Sequence, residues 1–340
     1  MKGDGNMKEK LKNIKKEKLF GILVLLFALT APLFITKAYN VHLLVLCAIY
    51  VGLATSMNLI LGYTGLFTLC HAAFFGMGAY TTAILVGKFG LPIWTGFVCS
   101  GFIAALFGLL IAWPSLRLRG DYLAIVTLGF GQIVRLIELN EQWLTNGAMG
   151  ITAIPKPKWF GQSFGKVQFY YLALVIALLI IFIVYRIAHT RIGRALIAIR
   201  EDDRAAMAIG INVRSYKMLA FGVGCFTAGL MGSVYAHYIS FVAPDQYTFQ
   251  ISVNIFIMVV LGGMGTTMGP VIGACLLTLL PEVLRFIGDW RMLIYGLLLV
   301  VCMIFRPQGI MGSFQIGGTS IWTTIRRRIE RGKHSRKGGE

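Results

Sequence analysis

His189-Thr-Arg-Ile-Gly-Arg-Ala-Leu-Ile-Ala-Ile-Arg-Glu-Asp-Asp-Arg-Ala-Ala-Met-Ala-Ile-Gly-Ile-Asn-Val-Arg-Ser-Tyr-Lys217 is a charged, helix-prone island between long apolar runs. Together with Arg186 it holds seven basic residues, against three lysines in the other long polar segment, Glu138 to Val167. The positive-inside rule therefore places the island in the cytoplasm and the 138–167 segment outside. At about 100° per residue, Ile192, Leu196, Ile199, Ala206, Met207 and Gly210 share one side of a single amphipathic helix. The other side carries Arg194, Glu201 and Arg204 among the small residues Ala198, Ala205 and Ala208. Gly210 ends the helix as a glycine after the C-cap does. Two readings stay open on this pattern. One is a solvated interfacial helix covering the inner face of a bundle; the other is a docking surface on which small residues admit a partner and charges set its register.

Working outward, a chain of 340 residues that is 57% hydrophobic, 14% charged and holds 40 glycines cannot bury its apolar residues in one soluble core. It reads as an all-α integral membrane protein, a polytopic bundle of 8–10 transmembrane helices with discontinuous segments. The net charge of +18 collects at the two ends and in short loops, which is membrane topology rather than a nucleic-acid footprint. A basic tail (1–18), a transmembrane domain (19–312) and a second basic tail (313–340) follow, with both termini cytoplasmic. The first apolar run, Leu19 to Ile35, reads as an uncleaved helix because no small-residue cleavage site follows it. Cys47, Cys70, Cys99, Cys225, Cys275 and Cys302 lie in apolar runs without CxxC pairing, which argues against a disulfide framework or metal site.

The remaining runs are Val41–Leu61, Leu66–Val86, Ile93–Trp113, Tyr122–Ile137, Phe169–Ile187, Met218–Ile239, Ile251–Gly262, Gly269–Phe286 and Met292–Phe305. Six before the island and four after it keep both tails on the island's side, so ten crossings is the consistent count. The rival count is eight, with re-entrant segments near Gly62 and Gly263. Arg285 and Arg291 fall outside in this scheme, against the rule, with Glu282 and Asp289 beside them. Gly62-Tyr63-Thr64-Gly65 predicts a tight turn or a broken helix between the second and third runs.

Asn58, His71 and Asn254 are polar groups inside apolar runs, where an unpaired polar atom costs several kcal/mol. They face the bundle interior, either as interhelical hydrogen bonds or as lining of a path. Gly265, Gly269 and Gly273 stand at i, i+4 and i+8, and pose a choice between close helix packing and a broken helix. Similar glycine breaks in both halves hint at an internal repeat. There is no GxxxxGK[ST] phosphate loop, no strand before Gly129-Phe-Gly131 or Gly222-Val-Gly224, and no catalytic dyad in the apolar runs, so the chain itself is not expected to be an enzyme. No cofactor is expected in it either.

Arg204-Ala-Ala-x-x-x-Gly210 resembles the EAA loop of ABC importer permeases, with Arg204 where that family usually has Glu. The wider stretch Gly193–Asn212, together with Asn58–Tyr80, Arg119–Gly129, Gly262–Gly273 and Phe305–Gly309, is similar to branched-chain amino acid permeases of the LivM type. The five blocks occur in order across most of residues 40–312; the tails match neither. The resemblance implies a permease of a bacterial or archaeal cytoplasmic membrane that moves leucine, isoleucine or valine. It implies a second homologous permease subunit, two ATPase subunits seated on the coupling loops and an extracytoplasmic substrate-binding protein. Ala205, Ala206 and Gly210 match the loop motif, and Glu201 is left to supply its acidic contact. Asn58, His71, Asn254, Gly265 and Gly269 are the candidate path residues. Urea or amide permeases share the pattern, and a stand-alone secondary transporter or channel is the reading of a different class.

Overall fold

The computed structural model describes residues 28–32, 37–115, 118, 120–159, 162–284, 290–305 and 309–312. The basic tails, most of the run Leu19–Ile35, and Arg117, Arg119, Arg285, Asp289 and Arg306–Gln308 lie outside the described residues. The described chain is helical almost throughout: α1 (Ala38–Asn58), α2 (His71–Thr82), α3 (Ile93–Ser115), α4 (Asp121–Asn140), α5 (Lys166–Ala188), α6 (Arg191–Glu201), α7 (Asp203–Ala208), α8 (Val213–Ile239), α9 (Phe249–Gly262), α10 (Gly269–Val283) and α11 (Arg291–Phe305). Five stretches are long and apolar enough to cross a membrane: Ala38–Tyr63, α3, α4, α5 and α8. The protein is thus a multi-pass, all-α membrane protein. α9 and α10 are shorter, and α9 is broken from α10 at the glycines of 263–268, the discontinuity that the Gly-rich segment predicts.

α1 and α8 form the centre. In its most apolar stretch α1 is 78% buried and α8 67%, whereas α4 is only 28% buried. The neighbours of α8 are α2 and α3, and glycine decides how near they come. A Cβ on Gly78 would stand 2.2 Å from the Gly229 carbonyl oxygen, and one on Gly232 would stand 2.1 Å from that of Phe75. Close backbone approach replaces the hydrophobic driving force that is missing between helices in lipid.

On α3, Trp94, Val98, Phe102, Leu106, Leu110 and Trp113 make one exposed stripe at helical spacing. The two tryptophans stand about 28 Å apart along the axis at about 1.5 Å per residue, which matches the hydrocarbon thickness with an aromatic at each interface. The Arg214 guanidinium lies 5.5 Å above the Trp113 ring, and this marks the end of the bundle that carries the charged island. The opposite end is tied by two short antiparallel ribbons, β1 (Ile151–Thr152) with β4 (Phe241–Val242) and β2 (Lys158–Trp159) with β3 (Gln162–Ser163). There the Lys88 ammonium also donates to the Trp143 carbonyl.

Of the two readings open at Gly62–Gly65, a tight turn or a broken helix, the structure has the broken helix. Helical winding continues through Leu59–Tyr63 in a widened turn, and after a turn at Thr64 the chain runs without regular structure from 65 to 70 before α2 begins. Non-helical backbone at this depth is tolerated only where protein supplies its hydrogen bonds. Thr127 of α4 accepts from the Leu69 N–H at 3.1 Å, and Ser252 of α9 accepts from the Ala72 N–H at 3.0 Å. The apolar residues of 66–70, which read from sequence as helix, are therefore a non-helical strap.

Candidate functional site

The island is two helices rather than one. Asp202 adopts an extended conformation (φ −155°, ψ 113°), and its carboxylate accepts from the N–H groups of Arg204 and Ala205, capping α7. Capping is the physical reason for the break: Asp competes with the helix backbone and starts a new helix. The expected apolar stripe is rephased as a result. Leu196, Ile199 and Ala206 are buried and Ile192 half-buried, but Met207 is 51% exposed. Gly210 ends α7 at φ +85° as expected, with its own N–H bonded to the Met207 carbonyl and the Ile211 N–H to that of Ala206.

The loop therefore has a seated side and an open side. Ala206 is in the seat, 2% exposed, and the Lys217 ammonium meets the Asp203 carboxylate at 2.7 Å to clamp α7 onto α8. Glu201, Arg204, Ala205, Met207, Ile209 and Gly210 are all exposed.

From the seated side one residue reaches into the bundle. Arg200 Nη1 donates to the Gly62 carbonyl at 2.6 Å, at the end of the widened turn that closes α1. That carbonyl belongs to the last turn of a helix, where a cation is favoured by the unpaired oxygens and the helix dipole. Directly above it lies Asn58, fully buried, whose amide uses both ends: Oδ1 accepts from the Gly265 N–H at 2.9 Å and Nδ2 donates to the Thr266 carbonyl at 2.9 Å. Gly265 (φ +74°) and Thr266 lie in the break between α9 and α10. Gly62 allows this approach, because a Cβ there would stand 2.0 Å from Asn58 Oδ1 and 2.4 Å from the Gly265 nitrogen. The segment after α11 joins the same node: Ile310 and Met311 donate to the carbonyls of Leu261 and Gly262, the last two residues of α9. One path thus runs from the charged loop, by a hydrogen bond to Gly62, along the helical backbone of residues 58–62, and by the hydrogen bonds of Asn58 to the broken pair α9 and α10.

Residues 39–303 match the family model described as "Branched-chain amino acid transport system / permease component". The chain belongs to this family. It is similar to the high-affinity branched-chain amino acid transport system permease protein LivM of Escherichia coli K12, at 37% identity over 87% of this chain and 75% of that protein. The LivM of Salmonella typhimurium is 36% identical over the same shares. An autoinducer 2 import system permease, LsrC of Salmonella paratyphi B, is more distant, at 28% over 60% of this chain and 59% of its own. No solved structure matches.

In this permease the other expected path residues do not all meet. His71 is buried at the start of α2, with its Nε2 2.7 Å from the Ser56 hydroxyl, which also lies 2.7 Å from the Leu53 carbonyl. The contact joins α1 to α2. Asn254 is half-buried on α9 and pairs along its own helix with Gln250 at 3.5 Å, away from Asn58. Gly269 accompanies the node by packing: a Cβ there would meet the Gly263 carbonyl oxygen at 2.5 Å. Among the described residues, no three His, Cys, Asp or Glu side chains gather as a metal site would need. Sequence reasoning did not single out Arg200, the residue that links loop and bundle. Its one signal was position, a cation on the stripe side of the helix next to Ile199.

Proposed function

We propose that this chain is the membrane-spanning subunit of an ATP-driven importer of branched-chain amino acids. Its exposed loop face contacts an ATPase subunit, and the Gly62 node carries the ATPase movement into the bundle. The observation that carries the reading is the division of one loop into an open face (Glu201, Arg204, Ala205, Gly210) and a seated face whose Arg200 is hydrogen-bonded to the helix break. Family membership and the names of the LivM relatives support the substrate class. The basic island beside Trp113 and Arg214 supports a cytoplasmic loop and cytoplasmic termini in the inner membrane. A second homologous permease subunit, two ATPases and an extracytoplasmic binding protein complete the assembly. The exposed apolar faces of α3, α4 and α5 are left for lipid and for that second subunit. ATP-driven closure of the ATPases then pulls α6 and α7, and the bundle alternates between access from either side.

Charge reversal on the open face tests the docking half of this reading. Glu201→Lys with Arg204→Glu is expected to lower ATP-driven leucine uptake in reconstituted vesicles at least tenfold, because misplaced charges cost more than lost ones. The ATPase should co-purify less with the double variant. Unchanged uptake and unchanged co-purification contradict docking through this face.

A further inference from the structure

At the end of the bundle opposite the coupling loop, four buried polar atoms without a hydrogen-bond partner lie on α2, on α4 and on the segment before α9. Glu138, one turn from the end of α4, is 5% exposed and its Oε1 has no hydrogen bond. The hydroxyls of Tyr80 on α2 and of Tyr247, which precedes α9, are likewise buried and unpaired at 4% and 3% exposure. Arg135 stands one turn before Glu138, and its Nε is buried and unpaired while Nη2 bonds Asp245 at 2.8 Å. Tyr80 and Tyr247 have ring centroids 6.1 Å apart, and Phe75 and Tyr235 close the aromatic wall around Tyr247 at 5.2 and 6.4 Å. Gly76 makes room for it, since a Cβ there would stand 2.8 Å from the Tyr247 ring. Burial, and then the neighbouring Tyr235, Glu138, Tyr80 and Tyr50, push the Tyr247 phenol well above its ordinary value.

Each buried polar atom left unpaired costs about 1–3 kcal/mol, and more if charged. Four such atoms on adjoining elements are unfavourable unless water or a ligand binds them. The donors and acceptors specify what fits. A carboxylate inside an aromatic wall attracts an ammonium, by hydrogen bonding and through the ring faces. A guanidinium one helical turn away attracts a carboxylate. The Arg135–Asp245 pair does not oppose this, because the Asp245 side chain is 82% exposed and an exposed ion pair is worth about 1 kcal/mol or less. Arg135 can exchange that partner at small cost.

We propose that Glu138, Arg135, Tyr80 and Tyr247 form a receiving site for the ammonium-and-carboxylate head of an α-amino acid. The site rests on the importer reading above and adds to it where the substrate is first held in this chain, and by which groups. It leaves the aliphatic side chain of the substrate to the aromatic wall.

The test is equilibrium binding of labelled leucine to the purified permease–ATPase complex in nanodiscs, with the binding protein omitted. Leucinamide, which lacks the carboxylate, and 4-methylpentanoate, which lacks the ammonium, serve as competitors. The wild type is expected to bind leucine and to prefer it at least tenfold over either analogue. Glu138→Gln should weaken leucine at least tenfold while leaving 4-methylpentanoate unaffected. Tyr247→Phe, which removes only a hydroxyl, should weaken leucine about threefold. The site is overturned if both variants bind leucine like the wild type, or if leucine and 4-methylpentanoate weaken in parallel, as a merely structural defect produces. A separate arm measures ATP-driven leucine uptake by the wild type with binding protein present. Its absence removes the importer reading, whereas uptake without detectable leucine binding in the same membranes removes this site alone.

Discussion

Arg200→Ala is expected to leave ATP hydrolysis running while leucine uptake falls at least tenfold. The guanidinium donates to the Gly62 carbonyl at 2.6 Å and is the described side chain that ties the loop to the break beyond α1. A hydrogen bond with one charged partner is worth about 1.5–3 kcal/mol, enough for a tenfold to hundredfold change in a coupled equilibrium. The cost falls on coupling rather than folding. Arg200 is itself largely exposed, and α6 stays seated through Leu196 and Ile199. Arg200→Lys keeps the charge at the helix end without the planar fork, so partial recovery is expected. The measurement is the ratio of leucine imported to ATP hydrolysed in proteoliposomes. An alanine variant with the wild-type ratio contradicts the role.

Asn58→Leu should have the largest effect on the membrane body itself. The substitution strands the Gly265 N–H and the Thr266 carbonyl, both part-buried, and places an apolar side chain against the glycine backbone at Gly62. Two orphaned backbone groups cost together about 2–6 kcal/mol, which is comparable to the whole stability of many domains. The variant is expected to accumulate poorly in the membrane and to lose the fold in detergent at a markedly lower temperature than the wild type. Asn58→Asp keeps the acceptor for Gly265 but turns a second acceptor oxygen towards the Thr266 carbonyl at a fully buried position, so it too is expected to melt well below the wild type. Equal melting of all three proteins would show that the node does not hold the break together.

The physics of the chain was readable where it depends on composition or on a local pattern. Charge asymmetry marked the island, glycine marked the breaks at Gly62 and Gly263, and Gly210 marked the end of a helix. Asn58 stood out as a polar group that needed a buried partner. Its partners could not be read, because they are backbone groups of residues 265 and 266, and a backbone N–H leaves no trace in side-chain identity. The target of Arg200 was hidden for the same reason. Periodicity failed at Asp202, where a local cap outweighed continuation of one helix and turned Met207 outward. It failed again at 65–70, where Thr127 and Ser252 support a non-helical strap and the start of α2 through contacts remote in sequence. The receiving site was invisible in the same sense. Positions 80, 135, 138 and 247 lie on two helices and a loop, and none of them is unusual in its own neighbourhood.

The central claim is that loop and helix break act as one connected path, and a double-mutant cycle on the coupling ratio tests it most directly. Arg200→Ala, Asn58→Asp and the double variant would be compared for leucine imported per ATP hydrolysed in the complete reconstituted transporter. If the Arg200–Gly62–Asn58 chain carries the movement, the double variant should be no worse than the poorer single variant. Losses that multiply, with the double variant falling by the product of the two single effects, would mean that the two contacts act independently and that the path does not exist.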